Sequence, residues 1–327
     1  MIVKTAPSRS HNHVFIPYPE HHYRWSRRSG RHPYRRQLLK QGKHKVSALT
    51  RPDSTSTFPE GLHAVFTADY NKQHELVAAM KGQDVLIITM NAMQPVETSL
   101  KLIGAAAATG VRYIVPNELV SKREQVQLGK DLMLAEGQIK VCEHIMSKHL
   151  KQIGVGCDFW YEHSLAGTET RFGFDFAKRT VTFYDEGDTK ITTSTWTQTG
   201  RALAHVLALP LTSEAGLSIA QLENSQVLIT SHYVSQRKML DSILRVTGYQ
   251  ESQWTISHDG AKARSGRGMS MMQQGNFHGF EIAMYSRAFF PDDSINHEAK
   301  VMNAALDLPK EDLDASTRTA ISMAGQS

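Results

Sequence analysis

The sequence predicts an α/β fold of the Rossmann type, a doubly wound parallel sheet with helices on both faces. Two observations carry this prediction. Between residues 45 and 160, short apolar segments alternate with segments of helical periodicity, and the connections are short. In addition, Asp84–Met90 (DVLIITM) is apolar almost throughout, which is typical of a strand buried on both faces of a parallel sheet.

The elements of this predicted domain follow in chain order from Gln37. Gln37–Gln41 has the composition of the last turns of a helix, and Gly42 ends it. Alternating or apolar segments predict the strands Lys45–Thr50, Ala64–Ala68, Asp84–Met90, Val111–Val115 and Gly154–Trp160. Apolar residues at helical spacing predict the helices Asn71–Lys81, Pro95–Gly110 and Glu136–Ile153.

The regular alternation weakens after residue 165, so residues 166–327 are predicted to form a smaller α+β substrate-binding region beside the 37–165 domain. Thr180–Tyr184 and Lys190–Ser194 are predicted to pair as a hairpin. Residues 260–279 have no assigned structure, and residues 316–327 are expected to fray. Further helices are predicted at Thr199–Leu209, Ser235–Thr247, Glu281–Phe290 and Glu298–Ala305. Further strands are predicted at Gln226–Thr230 and Trp254–Ser257.

Composition excludes several classes of protein. Apolar residues make up 40% of the 327 residues and charged residues 21%, as in ordinary globular proteins. No apolar run approaches the roughly 20 residues that span a bilayer, and no secretory signal is recognisable, so no membrane association is expected. Two isolated cysteines, Cys142 and Cys157, indicate a reducing compartment, and we expect a cytoplasmic protein.

The positive net charge belongs to one short segment. Residues 1–36 carry eight Lys or Arg against one Glu, which is 8 − 1 = +7, so the net charge of +5 leaves 5 − 7 = −2 for residues 37–327. Because this charge is not spread over a folded face, no nucleic-acid partner is expected. The segment shows neither helical nor strand periodicity. It is therefore interpreted as a disordered basic tail, a transit peptide or an aberrant segment.

Several stretches from residue 37 to 315 resemble the NmrA-like, isoflavone-reductase-like family. They share order and spacing with it rather than one decisive motif: Leu38–Glu60, Met80–Ile88, Gly110–Leu119, Asp158–Leu165, Lys190–Leu207 and Leu308–Ala315. The resemblance implies a Rossmann-type domain, a smaller substrate region, a preference for NADPH and reductase chemistry on a small metabolite. Some members of the family are instead dinucleotide-sensing regulators, which implies a possible protein partner.

The chain departs from this family at the glycine loop, which holds the cofactor pyrophosphate on backbone N–H groups. Gly30 and Gly42 are the only glycines before residue 60, and no first strand is predicted before them. A shift of reading frame offers one explanation. With suitable codons, residues 25–30 read one base later give Gly-Ala-Gly-Gly-Ala-Gly, the spacing of the dinucleotide fingerprint. An inactive product that lacks the loop is the alternative.

Candidate cofactor-binding residues follow the predicted strands. Arg51, between Thr50 and Ser54, can bind the 2′-phosphate of NADPH in two-point fashion, where NAD enzymes carry a carboxylate. Without the resemblance, Arg51 is an exposed turn residue. Asp69 and Asn91 end the next strands, and the resemblance implies that Asp69 lies by the adenine. The alternative is a helix-entry role for Asp69 and a loop cap for Asn91. The resemblance adds the segment beside the nicotinamide, which comprises Pro116, Asn117 and Glu118.

Candidate catalytic and substrate-binding residues are less well defined. The catalytic lysine of family reductases falls here on Gln138, and Lys140 lies about 200° further around the helix at ~100° per residue. Lys140 could serve as the proton donor only with a change of register, and otherwise it is a solvated lysine on the helix. Phe159, Trp160 and Tyr161 are predicted to form the substrate wall, with Tyr161 as a polar group, or else to pack in the core. No spacing suggests a metal site.

Overall fold

The computed structural model describes residues 12–17, 33–90, 94–117, 126–131, 135–276 and 278–325. Its strands are β1 (Asn12–Pro17), β2 (His44–Thr50), β3 (Ala64–Thr67), β4 (Val85–Ile87), β5 (Tyr113–Val115), β6 (Lys151–Gly156), β7 (Phe159–Trp160), β8 (Phe174–Asp175), β9 (Thr180–Tyr184), β10 (Lys190–Ser194), β11 (Ser225–Leu228), β12 (His232–Ser235) and β13 (Thr255–Asp259).

Helices lie between these strands, and among the described residues three more follow the last strand. In chain order they are α1 (Pro33–Gln41), α2 (Gln73–Met80), α3 (Val96–Ala107), α4 (Val126–Asp131), α5 (Ala135–Ser147), α6 (Tyr161–Leu165), α7 (Trp196–Leu207), α8 (Ile219–Leu222), α9 (Gln236–Thr247), α10 (Ala261–Gln273), α11 (His278–Ala288) and α12 (Leu313–Ala324).

Seven strands form one sheet in the order β11-β6-β5-β4-β1-β2-β3, and every neighbouring pair is parallel. The chain winds outward from β1 in one direction through β2 and β3, and in the other through β4, β5 and β6. The order therefore reverses between β1 and β4, where open parallel sheets bind ligands beyond the carboxyl ends of the strands. The predicted doubly wound fold is confirmed.

Both faces of this sheet are covered. In β4, Val85 and Ile87 pack in the apolar cluster that contains α7, whereas Leu86 and the following Ile88 pack in the cluster that contains α3. Successive side chains of a strand point to opposite faces, so a strand covered on both sides must be apolar at every position. This explains the uninterrupted apolar run around β4.

The first strand is a correction to the sequence analysis, which placed no strand before Lys45. β1 lies in the middle of the sheet and pairs with β2 from Asn12↔His44 to Pro17↔Leu49. Its apolar run, Val14–Ile16, is too short to show a period, and two neighbouring strands supply its hydrogen bonds. Residues 18–32, where a glycine loop would connect β1 to α1, lie outside the described residues.

The predicted hairpin between residues 180 and 194 is also wrong. β9 pairs with β8 and β13, whereas β10 pairs with β7 and β12 in a different three-stranded sheet. The turn at Asp185 and Gly187 forms as expected, with positive φ at both residues. Each strand finds a more distant partner, which local sequence spacing does not reveal.

The unassigned stretch from residue 260 to 279 forms most of a helical hairpin, α10 and α11. Gly268 and Gly279 let the two helices approach so closely that a Cβ on Gly279 would lie 2.2 Å from the carbonyl oxygen of Gly268. Glycine lowers intrinsic helix propensity, so this region showed no helical signal in the sequence. Close packing between the helices compensates.

Three predicted boundaries are corrected. The helix expected to reach Ile153 ends at Ser147, and the chain turns at His149, whose φ is 57°, before β6 begins. The helix expected at Glu298–Ala305 is a single 3₁₀ turn, Glu298–Lys300, and Met302 then donates a backbone hydrogen bond to Leu228. Residues 313–324 form α12 instead of fraying, because tertiary contacts bury part of that helix.

Candidate functional site

The turn after β2 carries the candidate phosphate-binding residues. Thr50 is buried, and the Ser54 N–H donates to the carbonyl oxygen of Arg51 at 3.2 Å, which closes the turn. Arg51 lies half-exposed, 3.5 Å from Asp53, and the Ser54 hydroxyl donates to that of Ser56 at 3.0 Å. The turn therefore brings a guanidinium and two hydroxyls together at the carboxyl edge of the sheet, with the Asp53 carboxylate paired to the guanidinium. Binding of a phosphate group by Arg51 and Ser54 stays a prediction.

The segment after β3 is held by its own hydrogen bonds. The Asp69 carboxylate accepts from the N–H of Asn71 at 2.9 Å, and the Asp69 N–H donates to Glu75 at 2.8 Å. The Tyr70 hydroxyl donates to Leu49 at 3.3 Å, and burial raises the pKa of Tyr70 well above its usual value. Asp69 thus follows this strand, and its carboxylate caps the local turn. Its place by the adenine stays a prediction.

The ends of β4 and β5 are tied together. The side-chain amide of Asn117 donates to the carbonyl oxygen of Met90 at 2.7 Å, and Pro116 is buried beside it. Asn117 therefore lies at the carboxyl edge of the sheet, where β5 ends beside β4. Its place beside the nicotinamide stays a prediction. Asn91 and Glu118 lie outside the described residues, so their assignment stays a prediction.

The two lysine-position candidates on α5 differ sharply in environment. The Lys140 ammonium lies 2.6 Å from Glu136 on an exposed helix face, and this pairing raises the pKa of Lys140. Gln138 is half-buried, and its Nε2 is enclosed without a hydrogen-bond partner among the described residues. The sequence analysis named Lys140 either as a proton donor or as a solvated lysine. The structure favours the second, because Lys140 is exposed and pairs with Glu136 one turn earlier on the same helix.

The predicted substrate wall divides into two parts. Tyr161 is fully buried and its hydroxyl lies 2.7 Å from that of Thr317, while Phe159 packs against Tyr285 with ring centroids 4.8 Å apart. These two residues are core residues, which corrects their assignment as substrate contacts and that of Tyr161 as a catalytic group. Trp160 is partly exposed and packs against the apolar cluster that contains α7.

Two residues that the sequence analysis missed complete an aromatic cluster with Trp160. The ring of Trp196, the first residue of α7, lies 6.2 Å from the ring of Trp160, and His163 lies 6.3 Å from Trp160. His163 stacks on Trp196 at 6.2 Å with 25° between the planes. The three side chains are half-buried, and sequence spacing could not join them because Trp196 lies in another element.

Glu162 places a buried carboxyl at the start of α7. It is 5% exposed, and its Oε2 accepts from the backbone N–H of Trp196 at 3.2 Å. Burial raises the pKa of Glu162 to about 7, and the hydrogen bond from Trp196 opposes this shift. The carboxyl is therefore partly protonated at neutral pH, and it anchors the helix that presents Trp196.

This raised pKa predicts a pH-dependent stability. Below about pH 4.5, Glu162 is protonated in both the folded and the unfolded chain; between about 4.5 and 7 only the folded chain keeps the proton. The free energy of unfolding should fall through that window relative to Glu162→Gln, by at most about 3 kcal/mol at ~1.4 kcal/mol per pKa unit. Urea unfolding of both proteins from pH 4 to 8 measures it. Parallel curves would contradict the burial of this carboxyl.

Among the described residues, no group of three or more His, Cys, Asp or Glu side chains could hold a metal ion. In the same part of the chain, no helix combines the length and the apolar composition that a bilayer crossing requires.

Comparisons with known proteins agree with this geometry. Residues 27–151 match the NAD(P)H-binding family, so the chain carries an NAD(P)H-binding domain. Oxidoreductase aprR of Aspergillus flavus is 24% identical over 275 residues, which cover 82% of this chain and 87% of that protein. Oxidoreductase poxI of Penicillium oxalicum is 25% identical over 252 residues, 72% of either chain.

Solved structures of reductases share the fold. An NADPH-dependent quinone oxidoreductase of Escherichia coli, complexed with NADPH, superposes with a TM-score of 0.63 and 16% identity over 94% of this chain and 99% of its own. Isoflavone reductase gives 0.66 and 18% over 93% and 98%. A structure with NADP⁺ and (+)-pinoresinol gives 0.68 and 15% over 94% and 98%. The Rossmann-type reductase fold that the family resemblance implies is thereby confirmed; disruption of the glycine loop stays a prediction.

Proposed function

We propose that this protein is an NADPH-dependent reductase that reduces a small carbonyl-bearing metabolite in the cytoplasm. One observation carries the proposal: an NAD(P)H-binding domain whose carboxyl edge presents the half-exposed guanidinium of Arg51, in the turn Thr50–Ser54, where a 2′-phosphate would bind. The fungal relatives at 24% and 25% identity are oxidoreductases by name, which supports the same reaction class.

The chain's own residues would hold and orient the dinucleotide. Arg51 and Ser54 would bind the 2′-phosphate, Asp69 would lie by the adenine, and Asn117 with Pro116 would lie by the nicotinamide ring. When bound, the cofactor supplies a hydride. Asn117 links the ends of β4 and β5 through its bond to Met90, and this link would hold the nicotinamide end of the proposed site in place.

A dinucleotide-sensing regulator with a protein partner is the second candidate. The absence of a lysine at position 138 favours it, because the family's usual proton donor is replaced there by an amide. The half-buried aromatic cluster of Trp160, His163 and Trp196 favours the enzyme, since such rings provide area for a planar substrate.

Consumption of NADPH in the presence of carbonyl acceptors tests the proposal. The full chain is mixed with NADPH and, separately, 1,4-benzoquinone, 4-nitrobenzaldehyde and benzylideneacetone, and the loss of absorbance at the nicotinamide band is followed. We expect saturable turnover with at least one acceptor above the rate without protein. Saturable NADPH binding without turnover on any of them would favour the regulator.

Replacement of Arg51 should change cofactor choice. We expect Arg51→Met to raise the Kd for NADPH about 10- to 100-fold and to leave the Kd for NADH nearly unchanged, because only NADPH carries the 2′-phosphate that a guanidinium binds at two points. Fluorescence titration of both cofactors measures it.

The matched control is Arg112→Met, since Arg112 pairs with Asp84 at the amino end of β5, the opposite edge of the sheet. It should leave both dissociation constants unchanged. An equal change of NADPH and NADH affinity in Arg51→Met would show that Arg51 does not read the 2′-phosphate.

A further inference from the structure

The short helix α4 contacts both halves of the molecule. Its Leu128 is 2% exposed and packs in the apolar cluster of the C-terminal region. Its Gly129 lies against the start of α5, because a Cβ on Gly129 would be 2.9 Å from the Cβ of Ala135. Helix α5 belongs to the dinucleotide-binding domain, where Ile145 packs in the apolar cluster on one face of the large sheet. Helix α4 therefore lies between that domain and the C-terminal region.

The direction of α5 places α4 at the ligand-binding edge of the sheet. β5 and β6 are parallel neighbours, and α5 lies between them in the chain, with β6 beginning soon after α5 ends at Ser147. A helix that connects two parallel neighbouring strands runs antiparallel to them, so its first residues lie level with their carboxyl ends. Ala135 is the first residue of α5, and Gly129 abuts it. Helix α4 thus lies on the side where open parallel sheets bind their ligands.

An arginine of the C-terminal region holds the end of α4. Arg287 of α11 is 7% exposed, and its Nε lies 2.8 Å from the Oδ2 of Asp131, the last residue of α4. Its Nη1 lies 3.0 Å from Asp292 and donates to Ser294 at 3.0 Å, and its guanidinium lies 4.7 Å from the centre of the Phe290 ring. Because these contacts fix the guanidinium, the ion pair with Asp131 fixes the end of α4.

The two carboxylates on Arg287 differ in what they hold. Asp131 belongs to α4, whereas Asp292 follows α11 in the same region as Arg287. Both carboxylates are partly exposed, with side-chain exposures of 31% and 44%. Loss of the Asp131 contact leaves Arg287 paired with Asp292, so the guanidinium does not become an unpaired buried charge. The main consequence of that loss is therefore the release of α4.

We propose that Arg287 is a positioning residue for substrate binding, which acts through Asp131 to hold α4 as one wall of the substrate site beyond the carboxyl ends of the strands. The inference rests on the proposed reductase function. Arg287 has no part in hydride transfer in this account, and it acts only on how well the substrate fits. The proposed cofactor contacts Arg51 and Asn117 lie on other segments, at the ends of β2 and β5, so cofactor binding should not depend on the pair.

Asp131→Ala and Asp292→Ala form a matched pair of variants. Each removes one carboxylate from Arg287, but only the first lies on α4. We expect KM for the best carbonyl acceptor to rise about 10-fold in Asp131→Ala, with kcat and the Kd for NADPH within about twofold of wild type, because only substrate binding is weakened. Asp292→Ala should leave all three constants within about twofold. A KM that rises equally in both variants, or in neither, would overturn the proposal.

Asp131→Glu tests whether the carboxylate itself matters. It keeps the charge on a side chain one methylene longer, which can still pair with the guanidinium, so KM should stay within about threefold of wild type. The thermal midpoints of Asp131→Ala and Asp292→Ala should be similar, since each loses one partly exposed partner of Arg287. A KM as high in Asp131→Glu as in Asp131→Ala would show that the ion pair does not position α4.

Hydrogen exchange of the α4 amide groups gives a readout that does not need turnover. In NADPH-loaded protein, Val126–Asp131 should exchange about 10-fold faster in Asp131→Ala than in Asp292→Ala, because local opening of α4 then requires less free energy. The product expected from 4-nitrobenzaldehyde, 4-nitrobenzyl alcohol, cannot be reduced by NADPH, and it should slow this exchange in the wild type. Equal exchange in the two variants, or no slowing by the alcohol, would overturn the role of Arg287. Both effects in a wild type without turnover would defeat the reductase proposal alone.

Discussion

Arg171→Met is expected to lower the free energy of unfolding by about 3–5 kcal/mol. The side chains of Arg171 and Glu281 are only 14% and 18% exposed, and the guanidinium makes two bonds to that carboxylate and two to His163. The substitution leaves a largely buried charge on Glu281, which keeps the hydrogen bond from the Thr170 hydroxyl but loses its counter-charge. Losses of this size follow when one member of a buried ion pair is removed. Urea unfolding measures the effect.

Two variants sharpen this test. The double variant Arg171→Met with Glu281→Leu should regain most of the loss, because apolar side chains of similar volume tolerate the same site without an unpaired charge. Arg112→Met, which removes the exposed pair with Asp84, should cost less than about 1 kcal/mol. Similar losses for Arg171→Met and Arg112→Met would show that Arg171 is not buried as described.

Gly279→Ala is expected to destabilise the protein by about 3 kcal/mol. The added Cβ would lie 2.2 Å from the carbonyl oxygen of Gly268 and 2.8 Å from the Cβ of Met271, so helices α10 and α11 must separate. The clash is with backbone as well as with a side chain, which leaves no rotamer change to relieve it. Thermal and urea unfolding measure the loss.

Gly266 provides the matched control on the same hairpin. It lies on the exposed side of α10, with nothing within 4 Å of an added Cβ. Gly266→Ala should raise the free energy of unfolding by up to about 1 kcal/mol, because alanine has the higher helix propensity. Equal effects of the two substitutions would contradict the close crossing at Gly279.

Strands that are apolar on both faces could be predicted from the sequence. Strands that form only because neighbouring strands pair with them could not. The composition of Asp84–Met90 alone predicts a buried parallel strand, and β4 confirms this prediction. β1 gives no such signal, because three apolar residues have no measurable period and neighbours on both sides create the strand. The helices around Gly268 were hidden for a related reason: close packing overrides low helix propensity.

The positions of residues at the strand ends could be predicted from the sequence, whereas contacts between residues of distant elements could not. Arg51 and Asn117 follow apolar strands, so their place at the carboxyl edge could be predicted from order alone. The contacts of His163 could not be predicted, because Arg171 and Trp196 reach it from other parts of the chain. Tyr161 was misassigned because an aromatic with a hydroxyl suits a core contact, here with Thr317, as well as a substrate wall.

Titration of the full 327-residue chain with NADPH, followed by protein and nicotinamide fluorescence, tests the central claim most directly. A variant with Gly-Ala-Gly-Gly-Ala-Gly at positions 25–30 measures how far the residues now at those positions lower the affinity for NADPH. We predict saturable binding of NADPH to the full chain, with a lower Kd than for NADH. No binding of either cofactor to either chain would contradict the assignment of this protein as an NADPH-dependent reductase.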